Sequence, residues 1–220
     1  MFRRFGFIAA LAAGLFLLAA ADKDKDKDKG DKDDEKDPFA ALIGKPAPNF
    51  TGDFALNGKK TSIAALKGKV VLLDFWAVWC GPCRGAFPHL REWNEKYQDK
   101  GLEVIGVTDY EELYGFDKDK GDVTELDADK KLSREDEQNM LKDFAAQFKL
   151  DYRVMTVSKD DQKKVYEDYM VEGIPEMVLI DRKGKVSMVK LGWKVTLETG
   201  KEENAIALQK KIEELLKEKE

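Results

Sequence analysis

The chain is poor in the residues that hold metals and cross-link small domains. Its 220 residues include two cysteines and one histidine, His89. Two cysteines cannot staple a scaffold at several points, so a packed hydrophobic core must stabilise the fold. A structural zinc site needs four ligands, which the chain can supply only if carboxylates join its cysteines and histidine. A disulfide-rich scaffold is therefore excluded, and a zinc centre is disfavoured.

The chain also lacks the charge pattern of a nucleic-acid-binding protein. Its formal net charge is −5 and its pI is about 5.3. No cluster of basic residues is interleaved with aromatic residues, which is the usual footprint of a nucleic-acid surface. We therefore expect no nucleic-acid partner.

Residues 1–21 have the pattern of a secretory signal peptide. Arg3 and Arg4 make the start positive, residues 5–18 are apolar, and residues 19–21 are three alanines that suit cleavage. The alternative is an uncleaved N-terminal membrane anchor, although the apolar stretch is short for a spanning helix. Either way we expect the folded part in the periplasm or secreted, and an uncleaved segment would tether it to the membrane.

Residues 22–37 form a charged linker in which Asp and Lys alternate and no residue is apolar. Such a segment cannot bury surface, so we expect it to be disordered. Four of its acidic residues match ligand positions of a calcium-binding loop: Asp24, Asp26, Asp28 and Glu35. Lys29 stands where that loop needs glycine, so a solvated linker is the better interpretation.

The two cysteines, Cys80 and Cys83, enclose Gly81 and Pro82. The apolar run at 70–76 before them predicts a buried strand, and the residues after them predict a helix. At a helix N-terminus the backbone N–H groups and the macrodipole stabilise a thiolate, and the second cysteine lies one turn away. The pattern predicts a redox-active dithiol; a zinc site, copper(I) carriage or an inert structural disulfide are the alternatives.

Asp74 interrupts the apolar strand before the cysteines. Burial would raise the pKa of its carboxyl group, which makes it a candidate general base for Cys83, acting directly or through water. The alternative places Asp74 at a solvated end of the sheet. We expect Trp76 in the core and Trp79 at the rim as a contact for a protein substrate, although packing alone explains either. His89 reads as a partly exposed helix residue.

Ile174 and Pro175 stand at the start of a predicted strand that would lie beside the dithiol. This position raises the ordinarily low frequency of a cis X–Pro bond. A cis bond here would expose the backbone of Ile174 for strand-like pairing with a peptide. Both residues are therefore candidates for substrate binding.

The remaining patterns predict an α/β fold over residues 38–220, with a mixed central sheet flanked by helices. Asn57 and Gly58, set between apolar residues, predict an N-terminal β-hairpin. Residues 110–133 are acidic and without sustained periodicity, which predicts an inserted surface loop. Ser133 is expected to cap a helix over 134–149, and Asn204 is expected to cap the last helix.

Taken together, these motifs resemble the thioredoxin superfamily, and most closely its TlpA-like or ResA-like extracytoplasmic thiol–disulfide oxidoreductases. The resemblance extends from about residue 42 to the C-terminus. It is carried by GKPAPNF at 44–50, GKVV at 68–71, FWAVWCGPCR at 75–84, Pro88, GIP at 173–175 and IDRKG at 180–184.

The resemblance implies a thioredoxin fold in which Cys80 is the exposed nucleophile and Cys83 the buried resolving thiol. It also implies a cis Pro175 packed against the disulfide, and Asp74 matches the buried acid of thioredoxin itself. The Gly-Pro pair between the cysteines is similar to that of reducing members. The implied partners are disulfide-containing client proteins and a membrane or soluble thiol electron donor, and we expect no cofactor and no metal.

Three features depart from the family pattern. Ala86 stands where Glu is common, and Glu176 follows the proline where Thr is usual. Glu176 would add a negative charge near the dithiol and so raise the thiol pKa. The 110–133 insertion has no counterpart in the compact family pattern.

Two other functions compete with this interpretation. Related thiol peroxidases carry Thr or Ser three residues before the reactive cysteine and Pro seven before it, whereas this chain has Ala77 and Leu73 there. A non-enzymatic copper(I) carrier or redox adaptor is the other alternative, because two soft thiolates can hold copper(I).

Overall fold

The structure, a computed structural model, describes residues 38–193, 195–196 and 201–218. The predicted signal peptide at 1–21 and the predicted linker at 22–37 lie outside the described residues. Within the described ranges, no helix has the length and apolar character needed to cross a bilayer.

Ten strands and four α-helices make up the described part of the chain. In chain order they are β1 Phe54–Leu56, β2 Val70–Phe75, α1 Gly81–Tyr97, β3 Leu102–Thr108, β4 Tyr114–Asp117, β5 Asp122–Glu125, α2 Arg134–Gln147, β6 Arg153–Thr156, α3 Lys159–Tyr169, β7 Glu176–Ile180, β8 Val186–Leu191, β9 Val195–Thr196, β10 Lys201–Glu202 and α4 Glu203–Leu215. Short 3₁₀ helices occur at Ile63–Leu66, Gln98–Lys100 and Ala128–Lys130.

Six strands form the central sheet in the order β1-β6-β3-β2-β7-β8. The pairs β2–β3 and β3–β6 are parallel, and the other three pairs are antiparallel. The predicted fold class, a mixed sheet flanked by helices, is confirmed. The central position of β2 explains its composition, because all six of its residues are buried and only one of them is polar.

The two faces of the sheet belong to two separate hydrophobic clusters. Leu72 and Trp76 pack with residues of α1, α2 and α4, whereas Leu73 and Phe75 pack with residues of α3. Side chains alternate between faces along a strand, so Asp74 projects toward the α1 side. The buried face of α1 consists of the residues that its periodicity predicts: Phe87, Leu90, Trp93 and Tyr97.

The predicted N-terminal hairpin is reduced to a short antiparallel closure, in which the Gly52 N–H donates to the Thr61 carbonyl and the Ile63 N–H to the Phe50 carbonyl. β1 pairs antiparallel with β6, and a single bridge joins Thr51 to Ser62. Asn57 adopts a positive φ as a turn residue, but its side-chain amide donates to the carbonyl oxygens of Leu150 and Tyr152 at 2.6 and 3.0 Å. These bonds hold the turn against the segment before β6, so β1 becomes an edge strand of the main sheet.

The segment 110–133 is more ordered than the predicted surface loop. It contains the hairpin β4–β5 and one 3₁₀ turn. Tyr114, Phe116 and Val123 are half-buried and pack against the α1-side core. Alternation about Gly115 puts Tyr114 and Phe116 on one face. The charged residues between Phe116 and Val123 hide this short apolar pattern in the sequence.

The two predicted caps have different outcomes. Ser133 caps α2 as predicted, because its hydroxyl accepts from the Asp136 amide at 3.2 Å and the Asp136 carboxylate completes a capping box. The helix ends at Gln147, slightly before the predicted residue 149. Asn204 is already inside α4, and its side-chain amide donates to the Gly192 carbonyl at 2.5 Å. Asn204 therefore ties α4 to the end of β8.

Candidate active site

The site lies at the N-terminus of α1, where the chain leaves the central strand β2. Cys80 is the N-cap residue of α1, and its Sγ accepts a hydrogen bond from the Cys83 backbone N–H at 3.2 Å. Pro82 lies in the first turn, where a missing N–H costs no helical hydrogen bond. Cys80 and Cys83 are joined in a disulfide bond, with their Cα atoms 5.3 Å apart.

Both cysteines are covered in this disulfide form. Cys83 is fully buried as the resemblance implies, but Cys80 is only 3% exposed instead of being an exposed residue. Because Cys80 caps the helix, its side chain turns back over the first turn toward the Cys83 amide. Only a small part of the Cys80 surface is therefore accessible to solvent in this form.

The structure contains the cis Ile174–Pro175 bond that the resemblance implies. Pro175 is buried, Ile174 is half-buried, and the Pro175 carbonyl accepts from the Gly192 N–H at 2.8 Å. Glu176 pairs with Phe75 across the β2–β7 ladder. Pro175 is therefore level with Trp76, at the point where the chain turns from β2 toward the cysteines.

Asp74 is fully buried in β2, on the face of the sheet that α1 covers. Burial raises the pKa of its carboxyl group to about 8. Neither carboxylate oxygen has a hydrogen-bond partner within the described residues. The expectation of a buried carboxyl group with a raised pKa is confirmed, and the alternative of a solvated sheet end is wrong.

Glu176 does not act as the sequence predicts. It is fully buried and pairs with Phe75, so it projects to the α3 side of the sheet, opposite to Asp74. Burial, with a smaller contribution from Glu172, raises its pKa to about 8. The carboxyl group is therefore mostly protonated at pH 7, and the predicted negative charge beside the dithiol is absent there.

The two tryptophans near the site have the predicted locations. Trp76 is fully buried, with its ring 5.2 Å from Phe87 and 5.3 Å from Phe144. Trp79 is 43% exposed, immediately before Cys80. Its ring centroid lies 5.9 Å from that of Tyr114 in the inserted hairpin. The insertion thus contributes to the rim of the site, which the sequence interpretation missed.

Arg84 is a further residue at the site that the sequence interpretation did not single out. Its Nη2 donates to the Val78 carbonyl at 3.2 Å, within the segment between β2 and α1. Its guanidinium carbon lies 5.1 Å from the Phe148 ring centroid. A cation after a Cys-x-x-Cys pair is visible in the sequence, but the contact with Phe148 depends on the packing of α2.

His89 lies on α1 among aromatic residues. It is half-buried, and its ring centroid is 5.1 Å from that of Trp193 and 5.9 Å from that of Trp93. This matches the partly exposed helix residue of the sequence interpretation. In the described ranges, no three His, Cys, Asp or Glu residues are grouped so that they could hold a metal ion.

Comparison with known proteins assigns the chain to a family. The family model described as Redoxin matches residues 42–206. The thiol-disulfide oxidoreductase ResA of Bacillus thuringiensis strain Al Hakam is 35% identical over 144 residues, which span 66% of this chain and 66% of that protein. ResA of Bacillus subtilis strain 168 is 29% identical over 149 residues, spanning 68% of this chain and 67% of that protein.

Solved structures agree with the observed fold. The thioredoxin domain of a thiol-disulfide oxidoreductase from Bacteroides vulgatus superposes with a TM-score of 0.55 at 27% identity, over 77% of this chain and 97% of that one. A thiol:disulfide interchange protein from Bacteroides sp. gives a TM-score of 0.55 at 26% identity, over 78% and 90% of the two chains. With a matching family model, these relatives and the observed sheet, the chain belongs to the redoxin family and is a ResA-like member of the thioredoxin superfamily.

Proposed function

We propose that the protein is a thiol–disulfide oxidoreductase that reduces disulfides of extracytoplasmic proteins through Cys80 and Cys83. The observation that carries this proposal is the position of the pair. Cys80 caps α1 and Cys83 lies in its first turn, while the buried carboxyl group of Asp74 projects to the same side of the sheet. Relatives named thiol-disulfide oxidoreductase share this region of the chain.

The first step is attack on the client disulfide. In the reduced protein, the Cys80 thiolate is stabilised by the N–H groups and dipole at the start of α1. It attacks one sulfur of the client, the client S–S bond breaks, and the other client sulfur leaves as a thiolate that takes a proton from water. A mixed disulfide then joins Cys80 to the client.

The second step releases the client. The Asp74 carboxylate accepts the proton of the Cys83 thiol, directly or through water, and the Cys83 thiolate attacks the Cys80 sulfur. The second client sulfur leaves as a thiolate and is protonated. Two electrons have passed to the client, and the protein is left as the Cys80–Cys83 disulfide. A thiol electron donor, membrane-bound or soluble, must reduce it again.

The rim residues suit a protein client. Trp79 exposes an aromatic surface before the nucleophile, and Ile174 is half-exposed beside Pro175. Gly81 and Pro82, both exposed, leave the approach to the cysteines free of bulky side chains. We assign client contact to Trp79, Ile174 and Pro175. Export by the residue 1–21 segment remains a prediction, as does retention of that segment as a membrane tether.

Insulin reduction tests the proposal. The wild-type protein, regenerated by dithiothreitol, is expected to catalyse insulin reduction, and Cys80→Ser is expected to abolish catalysis. Cys83→Ser is the matched variant, because it keeps the nucleophile and removes only the resolving thiol. It is expected to accumulate mixed disulfides with client proteins, visible by non-reducing mass spectrometry. Full turnover in the Cys80→Ser protein would contradict the mechanism.

A further inference from the structure

Several buried residues on the α1 side of the sheet, Trp93 among them, carry polar atoms without hydrogen-bond partners among the described residues, and three of these residues lie around Gly106. Their unpaired atoms are both carboxylate oxygens of Asp74, Nε1 of Trp76 and the hydroxyl of Tyr152. Asp74 and Trp76 are fully buried, and Tyr152 is 1% exposed. A buried polar group left unpaired costs about 1–3 kcal/mol, so three such residues in one region need an explanation.

Gly106 of β3 brings these groups together. Asp74 is its register partner across the parallel β2–β3 ladder. A Cβ atom on Gly106 would lie 2.7 Å from Trp76 Nε1 and 3.3 Å from Tyr152 Cε2. The edges of both rings therefore rest on the Gly106 backbone, beside the strand position from which Asp74 projects. Any larger residue than glycine would push these rings away.

The chemistry of the three side chains is complementary. The Trp76 indole can only donate, the Tyr152 hydroxyl can donate and accept, and an ionised Asp74 carboxylate can only accept. A buried water needs two to four such partners, and polar groups that do not touch directly are commonly bridged by one. The Tyr152 phenol and the Asp74 carboxylate also interact electrostatically. Burial raises the pKa of Tyr152 most, and the Asp74 charge is the next contribution.

We propose that Asp74, Trp76 and Tyr152 form a binding site for buried water, through which the Tyr152 hydroxyl donates to the Asp74 carboxylate. Tyr152 then acts as a positioning residue, because it favours the ionised form of the carboxyl group that serves Cys83. The assignment of that role rests on the proposed function; the water site itself does not.

Few other charges bear on this site. Arg91 of α1 and Asp151 before β6 act electrostatically on Tyr152, in opposite directions. Cys83 comes from α1, and Met177 of β7, which pairs with Asp74, cannot titrate. α2 buries one titratable residue, Glu137, whose carboxylate accepts from the Glu112 N–H. The other buried residues that α2 and α4 contribute are apolar: Leu141, Phe144, Ala145, Ala205, Leu208, Ile212 and Leu215.

The pKa of Asp74 in the full-length disulfide form is the direct test, because neither cysteine titrates in that form. The carbon-13 resonance of the carboxyl group is assigned by its loss in Asp74→Asn and followed against pH. Tyr152→Phe keeps the ring and removes the hydroxyl, so it is expected to raise the Asp74 pKa by about one unit or more. The matched control is Tyr169→Phe, which removes a buried hydroxyl that bonds the Pro48 carbonyl on the α3 side. It is expected to leave the Asp74 pKa unchanged.

A second probe does not depend on removing the hydroxyl. Replacing Tyr152 by 3-fluorotyrosine makes the phenol a stronger donor, so the Asp74 pKa is expected to fall. An Asp74 pKa that moves in neither protein would overturn the proposal. The alkaline limb of insulin reduction is expected to shift with the Asp74 pKa in both proteins. If the carboxyl resonance shifts while the wild-type protein reduces no insulin, the water site stands and the proposed function fails.

Discussion

In the proposed mechanism, the second chemical step depends on the carboxyl group of Asp74. It lies buried in the central strand with its pKa raised to about 8, so a minor but useful fraction is ionised at neutral pH. A general base whose pKa is near the working pH is ionised in a useful fraction of molecules and still has enough basicity to accept a proton. Its raised pKa follows from burial, which in turn follows from its place in the most enclosed strand of the sheet.

Asp74→Asn is expected to slow insulin reduction roughly tenfold or more, because proton transfer by a positioned base contributes at least that much. In the wild-type protein, turnover is expected to rise through about pH 8, where the carboxyl group ionises. This rise should be missing from the pH–rate profile of the variant. A wild-type-like alkaline limb in Asp74→Asn would show that another group removes the proton.

Glu176→Gln is the control for that experiment and a prediction of its own. Glu176 is equally buried and has a pKa of about 8, but it lies on the α3 side of the sheet. Because its carboxyl group is mostly protonated at pH 7, the amide is expected to change turnover there by less than about twofold. The turnover of Glu176→Gln and that of the wild-type protein should differ only above pH 8, where the wild-type Glu176 becomes charged. A large change in turnover at pH 7 would show that the charge of Glu176 acts on the dithiol after all.

The sequence was sufficient to single out the candidate residues of the site but not their surroundings. Cys80, Cys83 and Asp74 stand out because two thiols and one carboxyl group interrupt apolar patterns. The electrostatic role of Glu176 was wrong because the face of a strand residue depends on register, and its burial depends on α3. Tyr152 was missed for a similar reason: its hydroxyl becomes notable only when β3 and β6 bring it to Asp74.

The inserted hairpin is the element that most distinguishes this chain at its active-site rim. Tyr114 lies against Trp79, while Phe116 packs into the core with its ring 5.2 Å from Phe144 and 6.2 Å from Phe148. Phe116 therefore anchors the hairpin to α2, and Tyr114 extends the exposed aromatic surface beside Cys80. The same face of β4 thus carries one residue that packs in the core, Phe116, and one that lies at the rim of the site, Tyr114.

Phe116→Ala is expected to lower the free energy of unfolding by about 2–3 kcal/mol, less than the roughly 3–5 kcal/mol for a fully buried phenylalanine, because Phe116 is only half-buried. Asp119→Ala, in the exposed turn of the same hairpin, should change stability by less than about 0.5 kcal/mol. Urea denaturation followed by tryptophan fluorescence measures both. Equal effects of the two substitutions would mean that the hairpin is not anchored through its aromatic face.

Tyr114→Ala separates client binding from thiol chemistry. Loss of the ring beside Trp79 is expected to raise the KM for insulin several-fold, since aromatic contacts dominate small interfaces. The rate with a small aromatic disulfide should be unchanged, because such a substrate needs only access to Cys80. A parallel loss with both substrates would place the effect on the dithiol itself.

Element prediction failed where a distant partner decided the outcome. The α2 cap is local, because Ser133 and Asp136 are three residues apart, and it was predicted correctly. The pairing of β1 with β6 joins Phe54 to Thr156, and no local signal distinguishes it from the hairpin that Asn57 and Gly58 suggest. Long-range pairing therefore explains the error at β1.

At the scale of the described molecule, four buried acids have a raised pKa in the folded state: Asp74, Asp109, Glu137 and Glu176. Burial raises the pKa values of Asp74 and Glu176 to about 8 and that of Asp109 to about 7, the last with help from Glu111 and Glu137. Between about pH 4 and pH 8 these groups bind more protons in the folded state than in the unfolded state. The contribution of these carboxyl groups to stability therefore falls as pH rises through this window.

The unfolding free energy is accordingly expected to decrease by several kcal/mol from about pH 4.5 to pH 8. A protein carrying Asp74→Asn, Asp109→Asn and Glu176→Gln should show a much flatter profile over the same range. Chemical denaturation at a series of pH values measures both. A wild-type stability that rises over this window would show that these carboxyl groups ionise freely in the folded state.

The proposed activity requires the Cys80–Cys83 pair to act as an electron-donating dithiol. The most direct measurement is the reduction potential of this couple, determined by equilibration with glutathione at pH 7 and quantified by thiol alkylation. We predict a reducing value, more negative than about −220 mV, as suits a protein that gives electrons to client disulfides. A value near −120 mV, typical of a strong oxidant, would contradict the proposed direction of electron flow.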